Sequence, residues 1–161
     1  MKNLDFLHKL KSEGKLELLE PSNDMSRSYE KKSKDSFQVA KLAFNAGYYE
    51  NSVGEAYYSM YNSLQSLYFM CGIKCENHSA AAIILKEIFN LDNLHKAFLH
   101  AKEERIDKQY YVTPAQSNPA TKDSCMELLN AVEKFTLEIE VFKRNMKQLE
   151  IHTVREKFSR L

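Results

Sequence analysis

Glycine and proline are scarce in this sequence, with 4 and 3 residues among 161. Turns between strands consume both residues, so their scarcity argues against a many-stranded sandwich and favours long helices. Long apolar runs are missing as well, because the longest, residues 80–85, has six residues. A membrane-spanning helix needs about 20 apolar residues, so we expect a helical protein that does not cross a membrane.

Cysteine is limited to Cys71, Cys75 and Cys125. An odd number without the spacing of a disulfide framework is typical of a reducing compartment. Charges interrupt the N-terminal segment, which lacks the apolar stretch of a secretory signal. Both observations predict a cytoplasmic protein.

Charge of one sign does not dominate, because 23 basic and 22 acidic residues leave a net charge of +1. This balance does not indicate a nucleic-acid-binding protein. Hydrophobic residues at 43% and charged residues at 28% are typical of one soluble globular domain. Basic residues are concentrated in the tail from residue 143 onward. This tail is either a solvated helix end or a stretch that follows a phosphate backbone.

Capping residues and apolar spacing predict the helices. Ser22, Asn23 and Asp24 are choices for the cap of one helix, and Asn77 can cap another. Gly47 and Gly72 can each end a helix, and a further helix is predicted from about Thr121. Residues 73–76 are predicted as a loop. From residue 125 the apolar residues alternate steps of three and four, the seam of a bundle or coiled coil: Cys125, Leu128, Val132, Phe135, Ile139, Phe142, Met146 and Leu149.

These segments predict an all-α fold, an antiparallel up-and-down bundle of four to five helices over residues 22–148. A short N-terminal helix or extension over residues 1–21 precedes the bundle. A basic tail over residues 149–161 continues or follows the last helix.

Arg105 stands out because it continues an inward-facing stripe. Leu94, Phe98 and Ala101 share one helix face, and the next heptad step is position 105. A buried guanidinium needs an acceptor, so Arg105 would face the bundle or a partner. Alternatively, it is a side chain near a helix end that reaches water and is stabilised by the helix dipole.

His78 lies at the start of a short helix. It is either a packed or capping residue, or a group that transfers protons or donates to a phosphate at the helix N-terminus. With Cys71 and Cys75 it lacks the spacing of a zinc site, and no glycine-rich phosphate loop is present. We therefore expect no metal and no cofactor. Nearby tyrosines share a face with Met60 and Leu64, which favours a place in the core over a base-stacking platform: Tyr57, Tyr58 and Tyr61.

Residues 40–67 read AKLAFNAGYYENSVGEAYYSMYNSLQSL and resemble the signature helix pair of the HEPN family. In that pair, a helix ending in Gly precedes a helix of pattern A-V-x-x-A-Y-Y-A-x-Y-x-A. The start Asn77-His78-Ser79 resembles the family's x-H-S segment, and residues 105–110, RIDKQY, resemble its R-x-x-A-D-Y stretch. The similarity covers about residues 22–148.

The resemblance implies a helical bundle that is usually a homodimer. Many HEPN proteins are metal-independent ribonucleases that act as toxins, and they are often encoded beside a minimal nucleotidyltransferase that neutralises them. Their catalytic arginine is followed, after four to six residues, by histidine. Histidine moves protons, and arginine stabilises the charge that develops when the ribose 2′-hydroxyl attacks the phosphate.

The sequence departs from this motif because Arg105 is followed at residues 110–112 by Tyr, Tyr and Val. The resemblance carries the catalytic site to Arg105 and Tyr110, the position that the nucleotidyltransferase modifies in related toxins. His78 is the candidate for proton transfer from another helix, and Lys108 and Tyr111 are the candidates for substrate binding.

Three functions therefore remain open. The first is an RNA-cleaving toxin, and the second is a catalytically silent module that binds RNA, nucleotide or the nucleotidyltransferase. The third is a structural helical adaptor.

Overall fold

The computed structural model describes residues 2–110 and 119–161, with only the backbone at 109 and 110. Within these ranges it has seven helices and one two-stranded sheet. In chain order they are α1 (Lys2–Ser12), β1 (Leu16–Leu18), α2 (Asn23–Asn45), α3 (Tyr49–Met70), β2 (Ile73–Cys75), α4 (His78–Glu87), α5 (Asp92–Tyr110), α6 (Lys122–Asn145) and α7 (Gln148–Ser159). The predicted all-α bundle is confirmed. None of the described helices is both long and apolar enough to cross a membrane.

The central helix of the bundle is α3, which packs against α2, α5, α6 and β2. Small and apolar residues occupy most of its faces and are buried, as expected of a helix surrounded by others. Large side chains from the neighbouring helices complete the core, among them Phe98 of α5 and Phe135 of α6. Several tyrosines of α3 contact residues of α4 and α5 directly.

The predicted helix starts are confirmed by side-chain caps. Ser22 Oγ accepts from the Met25 amide, and Asn77 Oδ1 accepts from the Ala80 amide. Thr121 forms a capping box with Ser124. Each cap satisfies an amide that the first helical turn leaves without a partner.

The prediction of a loop at residues 73–76 was wrong. Residues 73–75 form β2, which pairs antiparallel with β1 in the register Leu16↔Cys75 and Leu18↔Ile73. Lys74 and Glu17 form an ion pair of 2.8 Å across the two strands. Three-residue strands are too short to show an alternating pattern, so tertiary pairing forms them.

The apolar seam of α6 is buried within one chain from Cys125 to Ile139, but its predicted continuation to Leu149 was wrong. The backbone turns at Met146, which has an extended conformation. Leu149 lies on α7 and is 74% exposed. α7 instead buries Ile151, Val154 and Phe158.

Two basic residues of the tail are structural rather than solvated. Lys143 Nζ donates to Glu30 Oε2 at 3.3 Å and to Ser66 Oγ at 2.9 Å, and its side chain is 9% exposed. Arg155 Nη1 donates to the carbonyl oxygens of Leu19, at 2.6 Å, and Cys71, at 2.9 Å. Arg155 thereby connects α7 to the segment after β1 and to the end of α3.

Candidate functional site

His78, the first residue of α4, packs against two tyrosines of α3. Its ring stacks on Tyr61, with centroids 3.9 Å apart and planes 8° apart. Tyr58 contacts the ring edge-on at 6.4 Å. Tyr61 Oη donates to the Cys75 carbonyl at 3.3 Å, which holds the Tyr61 ring in place.

A hydrogen bond joins His78 to a third tyrosine. Tyr57 Oη lies 2.6 Å from His78 Nδ1, and Tyr57 is fully buried. Burial raises the pKa of Tyr57 above its usual value, so its phenol keeps its proton throughout the physiological range. The contact therefore joins a neutral hydroxyl to an imidazole.

Arg105, on α5, covers the same tyrosines. Its guanidinium carbon lies 5.1 Å from the ring centroid of Tyr57 and 4.9 Å from that of Tyr58. Arg105 Nη2 also donates to Tyr58 Oη at 3.1 Å. The guanidinium thus lies against aromatic faces, a cation–π arrangement, and Arg105 is half-buried. These contacts agree better with the prediction that Arg105 faces the bundle than with the prediction that it reaches water.

Two cations of α5, Lys102 and Arg105, lie near the start of α4. Burial lowers the pKa of His78, and the charges of Arg105 and Lys102 lower it further. Lys102 Nζ donates to Ser79 Oγ at 2.7 Å. In the described residues, no group accepts from the backbone amides of His78 and Ser79. Two cations and unpaired amides at a helix N-terminus favour an anionic oxygen ligand.

We call these residues the His78 cluster: Tyr57, Tyr58, Tyr61, His78, Lys102 and Arg105. It combines an electropositive helix start with aromatic surface, because Tyr58 is 37% exposed. Phosphate binding uses the first property and base stacking the second.

The structure brings together two of the five predicted site residues, His78 and Arg105. Lys108 is buried, with a side chain 2% exposed, and lies 3.4 Å from the Glu104 carboxylate. It lines a cavity of about 210 Å³ with Ser124 and Leu128 of α6. Its predicted role in substrate binding stays a prediction. The side chain of Tyr110 and all of Tyr111 lie outside the described residues.

Sequence reasoning missed Lys102 as a member of the site and favoured the core over a base-stacking role for the three tyrosines. Nothing in the local spacing indicates the 37% exposure of Tyr58, because α3 buries adjacent residues along much of its length. Lys102 lies three residues before Arg105 on the same helix, a spacing that places both side chains on one face.

The cysteines are not reactive groups of this site. Burial raises the pKa of Cys71 and of Cys75 to about 12, so both thiols stay protonated at neutral pH. The thiolate is the form that ligates metals or acts as a nucleophile. Across the described ranges, no three His, Cys, Asp or Glu side chains converge as a metal site would require.

The HEPN domain family profile matches residues 26–146, which is more than half of the chain. The matched range includes α3, α4 and α5 and every member of the His78 cluster. A search of curated proteins found no match.

Proposed function

This chain belongs to the HEPN family, and we propose that its His78 cluster binds a phosphate group and a neighbouring base of RNA. One observation carries the proposal. The guanidinium of Arg105, the ammonium of Lys102 and the imidazole of His78 converge at the start of α4 beside the exposed ring of Tyr58. Convergent cations and an exposed aromatic face are the two components of single-strand binding sites.

The phosphate would lie at the N-terminus of α4. Phosphates bind at helix starts because unpaired amides point outward and the helix dipole adds partial positive charge. Lys102 is held beside this helix start by Ser79. Arg105 reaches the same region from α5, and its charge lowers the pKa of His78. The whole-chain charge of +1 does not oppose the proposal, because a local group of cations suffices.

The base would stack on Tyr58. Its ring contacts the guanidinium of Arg105 and, in an edge contact, the ring of His78. Stacking of a base on an aromatic side chain is worth about 1–3 kcal/mol. Because every base has an aromatic face, this contact predicts affinity for single-stranded RNA with little sequence preference.

Fluorescence polarisation with a short, labelled single-stranded RNA tests the proposal, in EDTA so that metals play no part. We expect Arg105→Ala to weaken binding about 10- to 150-fold, since a hydrogen bond to a charged group is worth roughly 1.5–3 kcal/mol. Arg27→Ala removes the same charge from an exposed site on α2 and is the matched control. Equal affinities for the two variants would refute binding at the His78 cluster.

Metal-independent RNA cleavage by a toxin is the second candidate function. The observation in its favour is that a histidine and an arginine meet in one cluster although they lie on different helices. His78 is neutral at neutral pH and would accept the 2′-hydroxyl proton, while Arg105 would stabilise the charged transition state. Cleavage in EDTA that His78→Ala abolishes would support an enzyme. Binding without cleavage by the wild-type protein would support the silent module.

The proposal includes the partners that the family resemblance implies, a homodimer and a minimal nucleotidyltransferase that would modify Tyr110. Light scattering tests the dimer. Co-expression followed by mass spectrometry tests the modification, with Tyr110→Phe as the control. We also place the protein in the cytoplasm, where its three unpaired cysteines stay reduced.

A further inference from the structure

We infer that Tyr57 fixes His78 in the tautomer that carries its proton on Nε2, so that neutral His78 donates to an anionic oxygen of the ligand. Tyr57 is thereby a positioning residue that acts through His78. The inference rests on the proposed function for its ligand, an RNA phosphate, but the tautomer itself can be measured without RNA.

The hydroxyl of Tyr57 decides the tautomer. It is fully buried, and in the described residues His78 Nδ1 is its one hydrogen-bond partner, at 2.6 Å. If Nδ1 carried the proton, the phenol proton would have no acceptor. Leaving a buried donor unsatisfied disfavours that tautomer by a factor of about 5 to 150. Nδ1 therefore accepts from Tyr57, and the proton of the neutral ring lies on Nε2.

The surroundings of His78 keep the ring neutral. The titratable groups facing it are Tyr57, Tyr58 and Tyr61 on α3 and Lys102 and Arg105 on α5, and Glu76 precedes the helix start. The Glu76 side chain is 74% exposed and lies 3.7 Å from Lys74, so bulk water and Lys74 weaken its field at the ring. Burial and the two cations lower the pKa of His78, so the imidazole ring carries only one proton at neutral pH.

Nε2 is the atom that this arrangement presents to a ligand. In the part of the chain that the structure describes, Nε2 has no hydrogen-bond partner. No buried polar side-chain atom there is unsatisfied, so Nε2 reaches solvent. The outward group is then an N–H donor beside Lys102 and Arg105. It suits a phosphate oxygen and offers no lone pair to a 2′-hydroxyl proton, which favours the silent module over cleavage by His78.

Two-bond ¹H–¹⁵N spectra of protein labelled at histidine test the tautomer, with His78→Gln assigning the signals. At about pH 7.5 we expect a protonated Nε2 and a bare Nδ1 in the wild type, and a mixture of tautomers in Tyr57→Phe. Tyr68→Phe is the matched control, because Tyr68 is also buried on α3 and donates to the Ala81 carbonyl of α4. It should leave the His78 signals unchanged. A proton on Nδ1 in the wild type would overturn the inference.

RNA affinity measured against pH gives the functional readout. Between about pH 7 and 8.5, wild-type affinity should stay constant because the Nε2 donor is neutral. In Tyr57→Phe, affinity should fall several-fold across this range and recover only as the pH drops below about 6.5, because protonation of the ring then restores a proton to Nε2. A Tyr57→Phe profile that runs parallel to that of the Tyr68→Phe control would overturn the positioning role. If neither the wild type nor any variant bound RNA, but the spectra were as expected, the proposed function would be refuted and the tautomer assignment would stand.

Discussion

Gly72 occupies a position where a methyl group has no room, and Gly72→Ala tests this directly. Its φ is +72°, in the left-handed region that favours glycine. A Cβ built there would lie 2.3 Å from Arg155 Nη1, 2.3 Å from the Leu19 oxygen and 2.9 Å from the Pro21 nitrogen. Two of these atoms are backbone, so the methyl would fall within the hydrogen bond that joins Arg155 to Leu19.

The expected cost has two parts. A left-handed alanine costs about 1–2 kcal/mol. Displacing Arg155 also breaks its bonds to the Leu19 and Cys71 carbonyls, at roughly 1.5 kcal/mol each for a partly exposed charged donor. Together they predict a loss of about 4–5 kcal/mol in the free energy of unfolding.

Urea denaturation followed by circular dichroism measures this loss, and Gly47→Ala is the control. Gly47 also has a positive φ, +82°, but nothing lies within 4 Å of its built Cβ, so only the backbone cost of about 1–2 kcal/mol applies. Equal losses of stability in the two variants would show that a methyl group at position 72 does not break the hydrogen bonds of Arg155. A thermal midpoint serves as the readout if Gly72→Ala is too unstable for a complete urea curve.

Three further predictions concern buried charged and titratable groups. Lys143→Met should lower the free energy of unfolding, measured by urea denaturation, by about 1–3 kcal/mol, because the largely buried ammonium donates to Glu30. Lys134 is exposed, and the urea curve of the Lys134→Met control should match that of the wild type. Cys71, whose pKa burial raises to about 12, should react with a thiol reagent at least about 10³-fold more slowly in native than in urea-unfolded protein, and equal rates would contradict its burial. His78 has a lowered pKa in the folded protein, so its contribution to stability is complete above its unfolded pKa of about 6.5 and is lost as the pH falls below that value. On acidification, the melting temperature of His78→Gln should therefore fall less than that of the wild type. An equal fall in the two proteins would count against this reasoning.

Local chemistry explains which parts of the fold are predictable. Ser22, Asn77 and Thr121 cap helices through groups three residues away, so the residues near each start are enough to find it. The pairing of β1 with β2 joins segments 57 residues apart at Glu17 and Lys74, and no local pattern encodes it. The turn at Met146 is missed for a related reason, because apolar residues continue the same spacing into α7.

The candidate site follows the same division. Arg105 and His78 are conspicuous individually, one for continuing an apolar stripe and the other for starting a helix. Their meeting depends on how α4 and α5 pack against α3, which heptad spacing does not specify. Tyr57 satisfies the core pattern and is indeed fully buried, yet its hydroxyl lies at the site. A helical stripe predicts burial and leaves open what the polar end of a buried tyrosine contacts.

The central claim is that the His78 cluster binds RNA, and an ¹H–¹⁵N NMR titration with a short single-stranded RNA tests it most directly. We expect the largest shifts at the amides of His78 and Ser79 and at the side chain of Arg105, and we expect the His78 and Ser79 shifts to require a higher RNA concentration in Arg105→Ala. Shifts confined to other surfaces would contradict the claim. So would the absence of shifts at an RNA concentration that saturates the fluorescence polarisation signal.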